Sequence, residues 1–174
     1  MYQSFDVTWK DQSRTDYNNN PDGTVQQSTS QLWNTISNRW DNSSRLTYTY
    51  NVDGTMQQRI FQTWDPSSNV WNNTSRVTYT YNASKKQLTF ELELWNDPNW
   101  APSSKDIYTY DGNNYVTKIL TQNYDIISPW KNRQQITYEN NLDGTVSQTV
   151  FESWNVNVWE PTERLSNTFT NSKP

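Results

Sequence analysis

The stretch RLTYTYNVDGTMQQRIFQTWDPSSNVW, Arg45 to Trp71, decides the fold. It opens on an alternation of polar and apolar side chains, the period-two pattern of a strand with two different faces. Asn51-Val52-Asp53-Gly54 then reads as a type I turn followed by a glycine in the left-handed region, which forms a G1 bulge. A second polar and apolar run leads back to Trp64, and Asp65-Pro66 breaks it. Proline has no N–H to give a ladder, so the residues between Trp64 and Trp71 are a loop. The unit is a β-hairpin with an Asp-Gly tip and tryptophans on the shoulders of the next connection.

The unit recurs. Arg14, Arg45 and Arg76 are 31 residues apart, as are Trp9, Trp40 and Trp71, and Trp33, Trp64 and Trp95; later copies drift, Tyr79 to Tyr108 being 29 and Tyr108 to Tyr138 being 30. Repeats fall at about 13–43, 44–74, 75–103, 104–131 and 132–162, with half repeats at 1–12 and 163–174, in one repeat domain. All four glycines follow an aspartate. Asn20-Pro21-Asp22-Gly23 and Asn141-Leu142-Asp143-Gly144 repeat the turn; Asn82-Ala83-Ser84-Lys85 lacks the glycine, and Tyr110-Asp111-Gly112-Asn113 reads as a shorter turn. The expected fold is all-β, an up-and-down antiparallel meander of about twelve strands.

A G1-bulge turn pairs Tyr50 with Thr55, Tyr48 with Gln57 and Leu46 with Arg59. Applied one copy on, it places Val77, Tyr79 and Tyr81 with Leu88, Phe90, Leu92 and Leu94 on one face, and Arg76, Thr78 and Thr80 with Gln87, Thr89, Glu91 and Glu93 on the other. The aromatic face is expected to be buried and the polar face to meet water. The sheet covers its apolar face by closing or curling into a barrel, the half repeats at the two ends together completing a sixth unit; an open, twisted single-layer sheet is the alternative.

Composition agrees with a thin, aromatic core. Hydrophobic residues are 32% of the chain, yet it holds 10 Trp, 11 Tyr and 5 Phe at a net charge of only -4, which disordered segments do not. Cysteine and histidine are absent, which removes disulfides, thiolate metal sites and every His- or Cys-based catalytic arrangement. The sequence pI of about 4.8 opposes a nucleic-acid footprint. No apolar run is long enough for a membrane helix, the first thirty residues hold no signal-peptide core, and the polar face does not suit an outer-membrane barrel.

Tyr108-Thr109-Tyr110-Asp111-Gly112-Asn113 and Tyr48-Thr49-Tyr50-Asn51 resemble the tandem repeats of secreted and surface proteins of the Bacteroidota, whose units read YTYDxNGN, then W, a short loop and W. Many of those proteins carry a type IX secretion sorting tail. The pattern is also distantly similar to YD or RHS repeats, although no intact YDxxGR occurs here. The resemblance implies a secreted or cell-surface location, with a cytosolic one as the alternative, and implies no catalytic residue.

Candidate site residues are the paired tryptophans: Trp33 with Trp40, Trp64 with Trp71, Trp95 with Trp100, Trp154 with Trp159, and Trp130, preceded by Tyr124. As cross-strand clamps they serve the fold; as exposed platforms beside Asn34, Asp65, Asn96 and Asn155 they would stack on sugar rings. Arg45 and Arg76, in a column with Arg14, Lys105 and Arg164, would stack on aromatic rings or hold an acidic glycan. One Asp per turn does not approach the oxygen count calcium takes, so no metal or other cofactor is expected. Glu91 and Glu93 are two apart on one face, but the pair does not recur. The expectation is a non-catalytic binding or adhesion module for glycans or surface polysaccharide, with a structural spacer as the alternative.

Overall fold

The computed structural model describes residues 12–167. Eleven strands follow one another: β1 Ser13–Asn19, β2 Val25–Asn34, β3 Arg39–Tyr50, β4 Met56–Asp65, β5 Val70–Tyr81, β6 Gln87–Asn96, β7 Asn99–Tyr110, β8 Val116–Asn123, β9 Lys131–Asn140, β10 Val146–Asn155 and β11 Val158–Ser166. They form one sheet in sequence order, an up-and-down meander without a helix among the described residues. Within those residues the chain divides into two compact units, 12–49 with 59–74 and 50–58 with 75–167.

Among the described residues the sheet does not close. β1 and β11 are the ends of the strand order, so the expected barrel gives way to the open-sheet alternative. The terminal strand expected over Phe5 to Trp9, and Phe169, lie outside the described residues. Nor is the apolar face buried. Val77 is the one buried hydrophobic residue among those described, no side chain is fully buried, and Leu32 and Leu94 remain 54% and 47% exposed. A single sheet has no second layer to lay over that face.

The turns follow one design. Asn20, Asn51 and Asn141 each accept the N–H of Gly23, Gly54 or Gly144, whose φ values are 87°, 85° and 84°, a conformation glycine takes without strain. In the first turn Asp22 Oδ1 accepts Thr24 N–H at 3.0 Å and Thr24 Oγ1 at 2.6 Å, and Asn20 Nδ2 donates to Thr24 Oγ1. Asn51, Asp53 and Thr55 repeat the arrangement, as do Asn141, Asp143 and Thr145. The turn aspartates are therefore spent on the threonine that follows the glycine. Lys85, at φ 60°, occupies the glycine position of its copy. The Asp111 turn is not shorter: Asp111 stands in the Asn position and Asn114, at φ 64°, in the glycine position, with Asn114 N donating to Asp111 O. Gly112 is left without a conformational duty.

In the hairpin of β5 and β6, Val77 pairs with Leu92, Tyr79 with Phe90, Arg76 with Glu93 and Thr78 with Glu91. The simple G1 register would have set Tyr79 opposite Leu88. The five-residue turn moves the register by one, giving Tyr81 with Gln87, and a bulge beside Tyr81 moves it by one more. A shift of two returns every side chain to its expected face, which is why the apolar and polar sets survive. Burial raises the phenol pKa values of Tyr108 and Tyr138 on the apolar side.

Candidate functional site

Each connection after an even-numbered strand is clamped by aromatic rings. Trp33 faces Trp40 with centroids 5.2 Å apart, Trp64 faces Trp71 at 5.0 Å, Trp95 faces Trp100 at 4.9 Å, Tyr124 faces Trp130 at 5.5 Å, and Trp154 faces Trp159 at 4.8 Å. The planes are steeply tilted or edge-to-face, the arrangement that ring quadrupoles favour. All nine described tryptophans are half-buried, so they are neither core residues nor open platforms.

The register explains what covers them. Glu93 pairs with Arg76 and with Pro102, and Trp95 with Trp100, so the Trp pair lies on the polar face beside the cation column. Arg14 lies over Trp40 at 5.0 Å, Arg45 over Trp71 at 4.7 Å, Arg76 over Trp100 at 4.9 Å and Lys105 over Trp130 at 4.3 Å. The ring face of the second tryptophan is thus occupied by a cation from the hairpin before. Gln135 stands at that place before Trp159 and donates instead to Glu152.

A third member of the column was not read from the sequence. Arg14 and Arg45 donate through Nε to Gln31 and Gln62, whose amides donate on to Asn42 and Asn73; Gln122 likewise donates to Asn132. Where a proline, Pro102 or Pro161, replaces that asparagine, the middle residue is a glutamate, Glu93 or Glu152. The chemistry requires the exchange. A glutamine there would have an amide N–H2 with no acceptor, whereas Glu93 accepts both Nε and Nη2 of Arg76, at 2.6 and 2.7 Å. The signal was available as covariation among the copies. Glu91 also meets a cation, Lys105 at 3.2 Å.

The polar residues beside the first tryptophans fold the loops. Asn34 Oδ1 accepts the N–H groups of Ile36 and Ser37, Asp65 accepts Ser67 N–H and the Ser68 hydroxyl, and Asn155 Nδ2 donates to Glu160. Asn96 pairs with Asn99 across a two-residue connection.

Two open depressions flank the loops after β2 and β4. A cavity of about 400 Å³ is lined by Arg39, Trp40, Asp41, Asn42, Trp64 and Asn69, among others, and a second of about 430 Å³ shares Asp41, Asn42 and Trp64. A strand turns successive side chains to alternate faces. All four residues from Arg39 to Asn42 border the first cavity, but Trp40 pairs with Trp33 while Asp41 pairs with Leu32 and Arg39 with Asn34, so the Trp40 indole and the Arg39 and Asp41 side chains leave β3 on opposite faces. Asp41 accepts Asn34 Nδ2 at 2.6 Å and Arg39 Nε at 2.7 Å. These bonds, the Asn34 amide foremost, hold its carboxyl below the ordinary pKa. Arg39 is 71% exposed and keeps its terminal N–H groups for another acceptor. A third cavity, about 270 Å³, lies on the apolar side between Tyr115, Ile119, Tyr138 and Val146.

No described protein family matches the chain, and no curated protein matches it in sequence. Solved structures do resemble it. A protein of unknown function from Bacteroides fragilis aligns with a TM-score of 0.61 at 18% identity, over 71% of this chain and 90% of that one. A porin-like protein from Bacteroides uniformis aligns with a TM-score of 0.50 at 11% identity, over 87% of this chain and 67% of that one. A DUF3836 family protein from Bacteroides vulgatus is 21% identical over 53% of this chain and 91% of its own, with a TM-score of 0.47. At these identities the first two likenesses are of fold.

Proposed function

We propose that the chain is a non-catalytic binding module, carried by a secreted or cell-surface protein, whose ligand is a glycan. The observation that carries this reading is the cavity beside Trp40 and Trp64. Its lining combines the Trp40 and Trp64 indoles with the amides of Gln31, Asn42 and Asn69, the mixture of apolar surface and a few convergent polar groups that small-ligand sites use. A glycan array of plant, algal and bacterial polysaccharides tests it, followed by tryptophan fluorescence titration of each responder. Flat responses throughout would remove it.

The second reading is a structural spacer. The steeply tilted aromatic pairs and the cations over Trp40, Trp71, Trp100 and Trp130 favour it, because a ring face already holding a guanidinium or an ammonium is not free for a sugar. The two readings part at Trp64, which lines both loop cavities.

A further inference from the structure

We infer that the cavity between Tyr115, Ile119, Tyr138 and Val146, on the apolar side, is a binding site for a small uncharged aromatic molecule with one phenol-sized ring. It is separate from the Trp loops and does not depend on the glycan reading.

The odd-numbered strands from β3 to β9 end at one equivalent place, occupied by Tyr50, Tyr81, Tyr110 and Asn140. Tyr81 pairs with Gln87, Tyr110 with Val116 and Asn140 with Val146, each the first residue of the next strand, so the register holds where the residue type changes. The polar contact holds as well. The Tyr110 hydroxyl donates to Gln87 O at 2.7 Å and Asn140 Nδ2 to Val116 O at 2.9 Å, in both cases the carbonyl of the first residue of the strand before. Asn140 thus makes the tyrosine's bond without the tyrosine's ring, and the cavity of about 270 Å³ lies beside it. β1 also ends on an asparagine, Asn19, but β1 is the first described strand, and no described hairpin precedes it to wall the place.

The wall is a second exchange. Thr24, Thr55 and Thr145 hold the aspartates of their turns through Oγ1. In the turn between β7 and β8 that position is Tyr115, because Asp111 N donates to Tyr115 O as Asn141 N does to Thr145 O. The Tyr115 ring lies against Gly144 of the neighbouring turn, where a Cβ would be 2.4 Å from it, whereas a Cβ at Gly23 or Gly54 meets nothing within 4 Å. One hairpin lacks a ring, and the turn beside it supplies a ring at the border of the gap.

The lining sets the ligand class. Val116, Ile119, Val146 and Gly144 are apolar, Tyr115 and Tyr138 add aromatic rings, and Asn140 adds an amide; no lining residue is an acid, a lysine or an arginine. A charged ligand would lose its hydration without gaining a partner. An aromatic ring gains edge or stacking contacts with the two phenols, and a hydroxyl on it can donate to Asn140 Oδ1. An apolar cavity of about 150 Å³ suffices for benzene, so this one has room for a ring with a substituent.

Titration of the whole chain with p-cresol tests the site, followed through the NMR signals of the Val116, Ile119 and Val146 methyls and the Asn140 amide. The comparison probes are 4-methylcyclohexanol, which has a similar outline without the aromatic ring, and N-acetyltyrosinamide, which carries the ring as a peptide would. We expect p-cresol to move these signals and to bind more tightly than either. Asn140→Tyr restores the ring of the preceding hairpins and abolishes binding; Tyr115→Thr restores the turn threonine and weakens it about two- to tenfold, the worth of one aromatic pair. Circular dichroism verifies that both variants fold. Stationary signals up to the solubility limit of p-cresol, or affinity unchanged in either folded variant, would overturn the site. Equal affinity for 4-methylcyclohexanol would overturn the aromatic class, and tighter binding of N-acetyltyrosinamide would overturn the small-molecule assignment in favour of a tyrosine side chain on a partner.

Discussion

Replacing Arg45 separates the two things its side chain does. Its guanidinium lies 4.7 Å from the Trp71 ring centroid, and its Nε donates to Gln62 Oε1 at 2.7 Å in a part-buried setting. A cation over an indole contributes about 0.5 to 2 kcal/mol depending on desolvation; a hydrogen bond from a charged donor contributes about 1.5 to 3 kcal/mol. Arg45→Met, which keeps the apolar stem, therefore costs about 2 to 5 kcal/mol. Arg45→Lys keeps a cation, as Lys105 does over Trp130 at 4.3 Å, and loses the fixed Nε–H, so it costs only the hydrogen bond, about 1.5 to 3 kcal/mol. At roughly 2 to 4 °C per kcal/mol for a chain of this length, the melting midpoint falls by at least about 4 °C in Arg45→Met and by less in Arg45→Lys. Thermal melts followed by circular dichroism measure both, and a cycle with Gln62→Ala isolates the hydrogen bond. Equal losses in the Met and Lys variants would refute the stabilising cation over Trp71. That ring face would then be available to a ligand.

Two further expectations concern the turns. Gly54→Ala meets open space and is opposed only by its φ of 85°, whereas a Cβ at Gly144 would lie 2.4 Å from the Tyr115 ring; Gly144→Ala should cost about 1 to 3 kcal/mol more than Gly54→Ala by denaturant unfolding, and equal costs would contradict the packing of Tyr115. Hydrogen bonds from Thr24, Thr55 and Thr145 lower the pKa values of Asp22, Asp53 and Asp143. Groups with depressed folded pKa values add stability that is complete above the unfolded carboxylate value, about 3.9, and is lost as pH falls through the folded values. The melting midpoint should hold from pH 7 to about pH 5, drop below about pH 4, and drop less steeply once all three are changed to Asn.

The hairpins, their tips and their two faces were legible because each rests on local chemistry: Asn-x-Asp-Gly for the tip, proline for the loop, alternation for the face. The Asp111 turn was misread because Gly112 suggested a tight turn, while Asn114 can also take positive φ and keeps the longer design. Barrel closure and burial of the Tyr79 face were not legible, since they depend on whether β1 and β11 meet, which no local pattern encodes. The tryptophans were found as pairs and the cation column as stacking on aromatic rings; which ring each cation covers required the register, which sets Arg76 beside Glu93 and Glu93 beside Pro102. The Asn34–Asp41 contact, which Asn155 and Glu160 repeat in the last loop, was not legible because residue types alone do not show which side chains meet across a connection.

The indole N–H signals of the 10 tryptophans, assigned by Trp→Phe variants and followed by nitrogen-15 NMR during titration with the neutral hexasaccharides, test the glycan site most directly. Trp40 and Trp64 should shift with a binding probe while Trp95, Trp100, Trp154 and Trp159 stay in place. Signals that remain stationary at millimolar concentrations of every probe, or all the Trp pairs moving alike, would contradict a glycan site at this one loop.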